Sequence, residues 1–487
     1  MHEESPMVHA APRSRSTGGI IGVLAVAGIV AALSQTLVTP LISTLPQILD
    51  TNAADASWVI TITLLVGAIA TPVNGKLGDL YGKRRMMLIS TVPLVAGSVI
   101  CAMATTLTPM IIGRGLQGLG MGVVPLGISA MRDVVPPQRL GAAIALMSSS
   151  LGIGGALGLP IASAVAQYAS WRVLFWVVAA LTAAVAVLIW LVVPAVPGRA
   201  HGRLDIPGTL GLAVALVCLL LGISKGADWG WGSATTLGLL GASVVILLVW
   251  GWWELRAADP LVDLRTTARR QVLLTNVSSI FVGVAMYAQT LVFMQILQLP
   301  EATGYGLGQT MLAAGLWLAP SGLMMMAVSP LGAKLSDRRG PKTTLAAGSL
   351  VLALGYGTAF VLMDHAWGVM IAACVGTVGV GLAYGAMPAL IMGAVPLSET
   401  ASANGFNTLM RSIGTTTSAA VIGVVLSHLT IDLGGHTLPS ESGFQVSLMI
   451  GGGVALVAAL VAVALPGPRT RREARAVLAD DLVPETA

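Results

Sequence analysis

The side chains best placed to do chemistry are the polar ones inside apolar runs. Arg114 opens "RGLQGLGMG" (114–122), and Arg411 lies in "ANGFNTLMRSIG" (403–414). A charged side chain at bilayer depth costs at least ~2.5–3.5 kcal/mol on insertion scales, so each arginine should face a wet cavity or a partner. Asn404, Asn407, Arg411 and Thr415 follow one another at spacings of 3, 4 and 4, which draws one polar stripe on a helix. Gln117 lies one turn after Arg114, and Ser34, Gln35 and Thr36 form a polar cluster in the first apolar run. Asn276, Gln289 and Gln295 share a later run, where amides either bond neighbouring helices or line a polar path. Ser34, Gln35, Arg114, Gln117, Gln289, Asn407 and Arg411 are therefore the expected substrate and cavity residues. Their chemistry is recognition of a solute. All 21 acidic residues fall in tails, loops or run ends, Asp133 and Glu254 lying nearest the apolar interior. The sequence shows no paired intramembrane carboxylates, no His/Cys metal set and no nucleophile beside a base, which argues against an enzyme. A glycine-rich lysine loop for phosphate is also missing, which argues against an ATP-driven pump, and no cofactor or metal is expected.

A second constellation is "GKLGDLYGKRRM" (75–86), with five charged side chains in twelve residues and glycines at 75, 78 and 82. Aspartate contributes little to membrane orientation, so Asp79 needs another explanation. It suits a helix N-terminus or an arginine of another segment, where partial positive charge stabilises a carboxylate. Lys83, Arg84 and Arg85 read mainly as topology anchors.

These residues are positioned by a very apolar chain. Of 487 residues, 55 % are hydrophobic and 10 % charged, against roughly 25 % charged in soluble domains. Fourteen apolar runs of spanning length lie near 20–48, 57–74, 86–104, 109–131, 141–165, 171–194, 207–224 and 235–253, then 271–297, 311–331, 343–363, 367–392, 402–427 and 443–465. The first is too long for a signal-peptide core and reads as a span. With the N-terminus placed in the cytoplasm, 22 of the 26 lysines and arginines fall on that side, which predicts both termini inside a plasma (inner) membrane. Trp171, Trp229 and Trp231 fall at predicted external interfaces, and Trp252 and Trp253 at an internal one. Cys101, Cys218 and Cys374 lie in apolar runs and read as small buried side chains. The basic start of the C-terminal tail reads as an orientation anchor, not a nucleic-acid site.

The charged loop recurs. "AKLSDRRGPK" (333–342) aligns with "GKLGDLYGKR" (75–84) at an offset of 258, pairing Asp337 with Asp79 and Gly340 with Gly82. "VPLSETASANG" (395–405) aligns with "VPPQRLGAAIA" (135–145) at an offset of 260. Both offsets exceed half the chain, so an insert separates the halves, and the hairpin 207–253 fits it. The expected division is a tail 1–18, a six-helix bundle 19–195, a two-helix insert with linkers 196–270, a six-helix bundle 271–466 and a tail 467–487, both tails disordered. Parallel repeats of six spans predict a transporter with its substrate path between the halves. Under that reading Gly75, Asp79, Gly82, Lys83, Arg84 and Asp337 form a cytoplasmic gate. The glycines of "GIGGALGLP" (152–160) allow close helix approach, so Gly154, Gly158 and Pro160 are the expected hinge between halves.

Gly75, Asp79, Gly82, Lys83 and Arg84 resemble the loop motif between spans 2 and 3 of the major facilitator superfamily. The sequences 114–122, 152–160, 170–177 ("SWRVLFWV") and 403–414 are similar to motifs of its fourteen-span drug:proton antiporter branch, of multidrug efflux type, over nearly the whole chain. The resemblance implies an all-α polytopic membrane protein of fourteen helices (6 + 2 + 6) in two pseudo-symmetric six-helix bundles. It implies a monomer in a lipid bilayer, exporting lipophilic or amphiphilic small molecules in exchange for protons. The chain departs from the branch at two places. Many relatives carry an aspartate where Ser34 stands, and the Gly-Pro of span 5 reads Gly158-Leu159-Pro160, with Ala162-Ser163 for the closing glycines. The first departure leaves open a facilitator or uptake carrier without proton coupling.

Overall fold

The computed structural model describes residues 17–38, 41, 45–51, 53–433 and 436–466. Fourteen helices are long and apolar enough to cross a membrane. The first six are Thr17–Thr36 (α1), Trp58–Tyr81 (α2), Lys83–Met103 (α3), Leu107–Val134 (α4, through a 3-10 turn at Gly120–Gly122), Pro137–Tyr168 (α5) and Arg172–Val192 (α6). Ile206–Trp229 (α7) and Ala234–Glu254 (α8) form a hairpin. The last six are Arg270–Gln298 (α9), Met311–Arg339 (α10), Pro341–Leu362 (α11), Ala366–Met392 (α12), Thr400–His428 (α13) and Glu441–Val463 (α14). Helices are the solution because a lipid-facing backbone must pair its polar groups within the segment. Apolar side chains accordingly cover the outside, as Val92, Leu248 and Leu460 do. Between α13 and α14 the strands Thr430–Leu433 (β1) and His436–Pro439 (β2) pair antiparallel.

The two copies of the charged loop have the same turn. Gly82 separates α2 from α3 with φ +94°, and Gly340 separates α10 from α11 with φ +84°. Left-handed backbone of this kind strongly favours glycine, so both repeats need it where the helix reverses. The loops at Gly82 and Gly340 lie on one face of the bundle, here termed the basic face. The β1–β2 hairpin lies on the other.

Helices α1–α6 form one bundle and α9–α14 the other, each with its own buried apolar clusters. The bundles meet along two seams, α2 against α13 and α5 against α10. The hairpin α7–α8 covers the first seam. Leu212, Leu216 and Leu220 of α7 share one cluster with Leu65 of α2 and Leu409 of α13.

Two sequence expectations change. The run 20–48 reads as one span, but α1 stops at Thr36 and a separate short helix follows at Leu45–Ile48. Thr36 Oγ1 bonds back to the carbonyls of Ala32 and Leu33, and Pro40, which has no N–H for the helical ladder, follows in sequence, so the helix is not continued. Lys225 reads as a loop residue, but α7 continues past it to Trp229. It is buried, ion-paired to Asp228 at 3.0 Å and placed 5.3 Å from the Trp58 ring. The tails 1–18 and 467–487 lie outside the described residues except for Thr17 and Gly18.

Candidate functional site

The tightest polar contact between the bundles is made by Asp79. Its carboxylate, on the last turn of α2, accepts hydrogen bonds from the backbone N–H groups of Ala401 (3.1 Å) and Ser402 (2.8 Å). These are first-turn donors of α13, which have no partner within their own helix. A side chain from one bundle thus caps a helix of the other, and the helix dipole adds to the attraction. Asp79 is 2 % exposed, so water competes little for these bonds. Lys83, one turn on, is also buried, 3.9 Å from Asp79 and 2.7 Å from Asp133. Lys83 is therefore part of a buried charge cluster, where the sequence reads mainly an anchor. Arg84 donates to the carbonyl of Trp190 and ties α3 to the end of α6.

Glycines bring the backbones close enough for this cap. A Cβ on Gly75 would collide with the carbonyl of Ala401, and one on Gly82 would stand 2.8 Å from the carbonyl oxygen of Val196. Under the transporter expectation from the sequence, Gly75→Val should slow transport several-fold by wedging α2 from α13. Gly155→Ala, where a Cβ meets nothing within 4 Å, should leave the rate near wild type. Equal rates for the two variants, measured in the same vesicles, would remove close approach from the explanation.

Three groups that the sequence reading passed over strengthen the same face. Arg132 of α4 donates to the Val395 carbonyl (3.2 Å) and to Thr400 Oγ1 (2.9 Å). Ser129 Oγ donates to the carbonyl of Thr400 and accepts from Asn404 Nδ2. Arg199 and Ala200, in the linker after α6, donate their N–H groups to the carbonyl of Asp79. Ser129 and Arg132 lie just before the first repeat segment (135–145), and their partners lie in its mate (395–405). The second copy of the aspartate behaves differently. Asp337 is exposed, and its Oδ1 stands 3.3 Å from where a Cβ on Gly141 would be. Gly141 is the repeat mate of Ala401, so position is kept while the cap is absent among the described residues.

Deeper between the bundles lies a narrow cavity, with room for about one water molecule, bordered by α4, α5, α12 and α13. Asn407 and Arg411 of the expected cavity residues border it, together with Tyr384 and Ser148, which the sequence reading did not single out. The Arg411 guanidinium sits 4.4 Å above the Tyr384 ring. Asn404 also borders the cavity, yet its amide N–H groups serve the basic-face contacts, and those of Asn407 bond Asn276 Oδ1 (2.8 Å) and Ser279 Oγ (2.7 Å) on α9. The polar stripe is thus divided among three tasks.

The other expected cavity residues lie elsewhere. Arg114 is 1 % exposed inside the first bundle. Its Nε donates to the Val59 carbonyl (3.0 Å), and its Nη1 donates to the Ser34 carbonyl (3.0 Å) and Gln117 Oε1 (2.6 Å). Gln117 in turn donates to Ser98 Oγ at 2.8 Å. The Ser34 hydroxyl bonds its own helix at Ala31, and Gln35 is half-buried beside it. Gln289 donates to Ala373 and Thr377 and joins α9 to α12 within the second bundle. These residues do not border the cavity, and the Arg114 guanidinium and the Gln289 amide N–H group are bonded within their own bundles.

The expected hinge also divides. Gly154 and Gly158 pack against α1 of their own bundle, where a Cβ would meet Ile29 and Thr36. Pro160 abuts Gly315 of α10 across the second seam, and Gly152 faces Met325 there. At 3.6 residues per turn, positions 154 and 158 share a face about opposite to 152, so one glycine-rich segment serves two partners.

A model of the Major Facilitator Superfamily matches residues 24–419. An uncharacterized MFS-type transporter, Rv1877 of Mycobacterium tuberculosis, is 33 % identical over 352 residues, covering 72 % of this chain and 49 % of that protein. The chain thus spans about half the length of that curated relative. The tetracenomycin C resistance and export protein of Streptomyces glaucescens is 28 % identical over 423 residues, covering 83 % and 75 % of the two chains. Among solved structures, the human organic anion transporter MFSD10 superposes with a TM-score of 0.65 at 12 % identity, over 93 % of this chain and 100 % of that one. A likeness at that identity speaks for the fold alone.

Proposed function

Because the chain belongs to the major facilitator superfamily, we propose that it exports lipophilic or amphiphilic small molecules by alternating access, driven by the proton gradient. The observation that carries this reading is the Asp79 cap on α13, which joins the two bundles on the basic face beneath a cavity between them. The basic face is then cytoplasmic, as the distribution of lysine and arginine expects, with both termini inside a plasma membrane. The cap, with Gly75, Gly82, Lys83 and Arg84 supporting it and Asp337 outside it, holds that face closed while the opposite face opens. The substrate path lies between the bundles 19–195 and 271–466, and the insert 196–270 flanks it. The relative named for tetracenomycin C resistance and export favours outward transport. The protein works as a monomer in the bilayer.

A second reading, a facilitator or uptake carrier without proton coupling, is favoured by one observation. Ser34 carries no charge, and Arg114 beside it is satisfied by carbonyls and an amide instead of a carboxylate. Reconstitution in liposomes with an imposed pH gradient separates the two. Substrate movement that follows the gradient is the expected result, and exchange insensitive to pH supports the facilitator.

A further inference from the structure

The charge balance of the cavity bears on which molecules it accepts. Arg411 lies eleven residues into α13, about 16 Å along the helix at 1.5 Å per residue, close to the middle of a core about 30 Å thick. Among the described residues its guanidinium makes no hydrogen bond or ion pair, and no carboxylate borders the cavity. The contact with the Tyr384 ring consumes none of the guanidinium donors, which remain available for a fork-shaped contact. Ser148 of α5 borders the same cavity from the other bundle. It is 2 % exposed and its hydroxyl has no hydrogen-bond partner among the described residues. The amide donors of Asn404 and Asn407 are already committed to protein acceptors. Ile128, Leu151 and Pro388 supply apolar wall.

We infer that the cavity binds organic anions, a carboxylate, sulfonate or phenolate on an apolar body, with Arg411 as the charge-selecting group and Ser148 as a second donor from the opposite bundle. This inference rests on the export reading and adds the substrate class. A guanidinium without a counterion at this depth is costly, and an anion removes that cost. A cationic amphiphile would instead place like charge beside the half-buried Arg411. The site is bipartite: Arg411 moves with one bundle and Ser148 with the other, so the anion contacts both when the bundles close.

The test is equilibrium binding to the full chain in lipid nanodiscs, with empty nanodiscs subtracted, using two probes matched in shape and opposite in charge. These are naphthalene-2-sulfonate and (2-naphthyl)trimethylammonium. The wild type should bind the sulfonate about tenfold or more tighter than the ammonium, the scale of a hydrogen bond to a charged group. Arg411→Gln should abolish that preference and Arg411→Lys retain part of it. Ser148→Ala should weaken sulfonate binding by about fivefold, the scale of one neutral hydrogen bond. Equal or tighter ammonium binding by the wild type, no saturable sulfonate binding, or an unchanged preference in folded Arg411→Gln overturns the inference. If Arg411→Gln does not fold, the two-probe comparison in the wild type and the Ser148→Ala shift still decide it. Binding requires no gradient, so an intact anion preference without gradient-driven transport sinks the export reading alone. Gradient-driven transport without anion preference sinks this inference alone.

Discussion

Asp79→Asn is expected to cut transport about tenfold or more while leaving insertion and folding intact. The carboxylate caps two α13 donors in a nearly dry site, and a hydrogen bond to a charged group contributes about 1.5–3 kcal/mol. Each ~1.4 kcal/mol lost from the closed state shifts the closed-to-open ratio tenfold. The amide keeps one acceptor oxygen but loses the charge and the favourable dipole interaction. Lys83 retains Asp133 at 2.7 Å, so no buried cation is orphaned and the fold should hold. The second readout is closure of the basic face. With Cys101, Cys218 and Cys374 replaced, cysteines at Gly141 and Asp337 are close enough to cross-link when the bundles meet. Disulfide yield should fall in the Asp79→Asn background. Wild-type transport together with wild-type cross-linking would refute the closing role of Asp79.

Arg114→Ala should abolish transport and lower the melting temperature as well. The side chain is one of the largest fully buried ones, and it serves three acceptors from α1, α2 and α4 at once. Truncation leaves the Ser34 and Val59 carbonyls and Gln117 Oε1 without their donor and opens a void among three helices. The cost is ~3–5 kcal/mol, the scale of breaking a buried charged network. Arg114→Lys should rescue little, because a single ammonium does not reproduce the planar spread of guanidinium donors. Melting curves of purified protein, read beside vesicle transport, separate stability from passage. A melting temperature and rate equal to wild type for Arg114→Ala would show that the network is dispensable.

Much of the architecture is legible in the sequence because lipid is an undemanding solvent to decode. Spanning length, apolar composition and basic loops follow from backbone desolvation and charge cost, and both act residue by residue. The repeat was legible too, since Gly82 and Gly340 are held by the same left-handed turn. Asp79 stood out because no orientation argument explained it. The candidate site was less legible. Ser148 and Tyr384 carry no local signal, being one serine among three and one tyrosine in an apolar run. Arg114 and Arg411 look alike as intramembrane arginines, yet one is consumed by neighbouring carbonyls and the other borders the cavity.

By itself the sequence determined the number and placement of the spans, the two halves with their insert, and the residue types too costly to bury without a reason. Only the tertiary structure decided which partner each of those residues meets. Helical periodicity assigns a residue to a face, but which neighbour that face packs on depends on contacts hundreds of residues away in the chain. That is why Gly154 and Gly158 turned to α1 while Pro160 met α10, and why Asp79 found its donors at Ala401 and Ser402 in the opposite bundle.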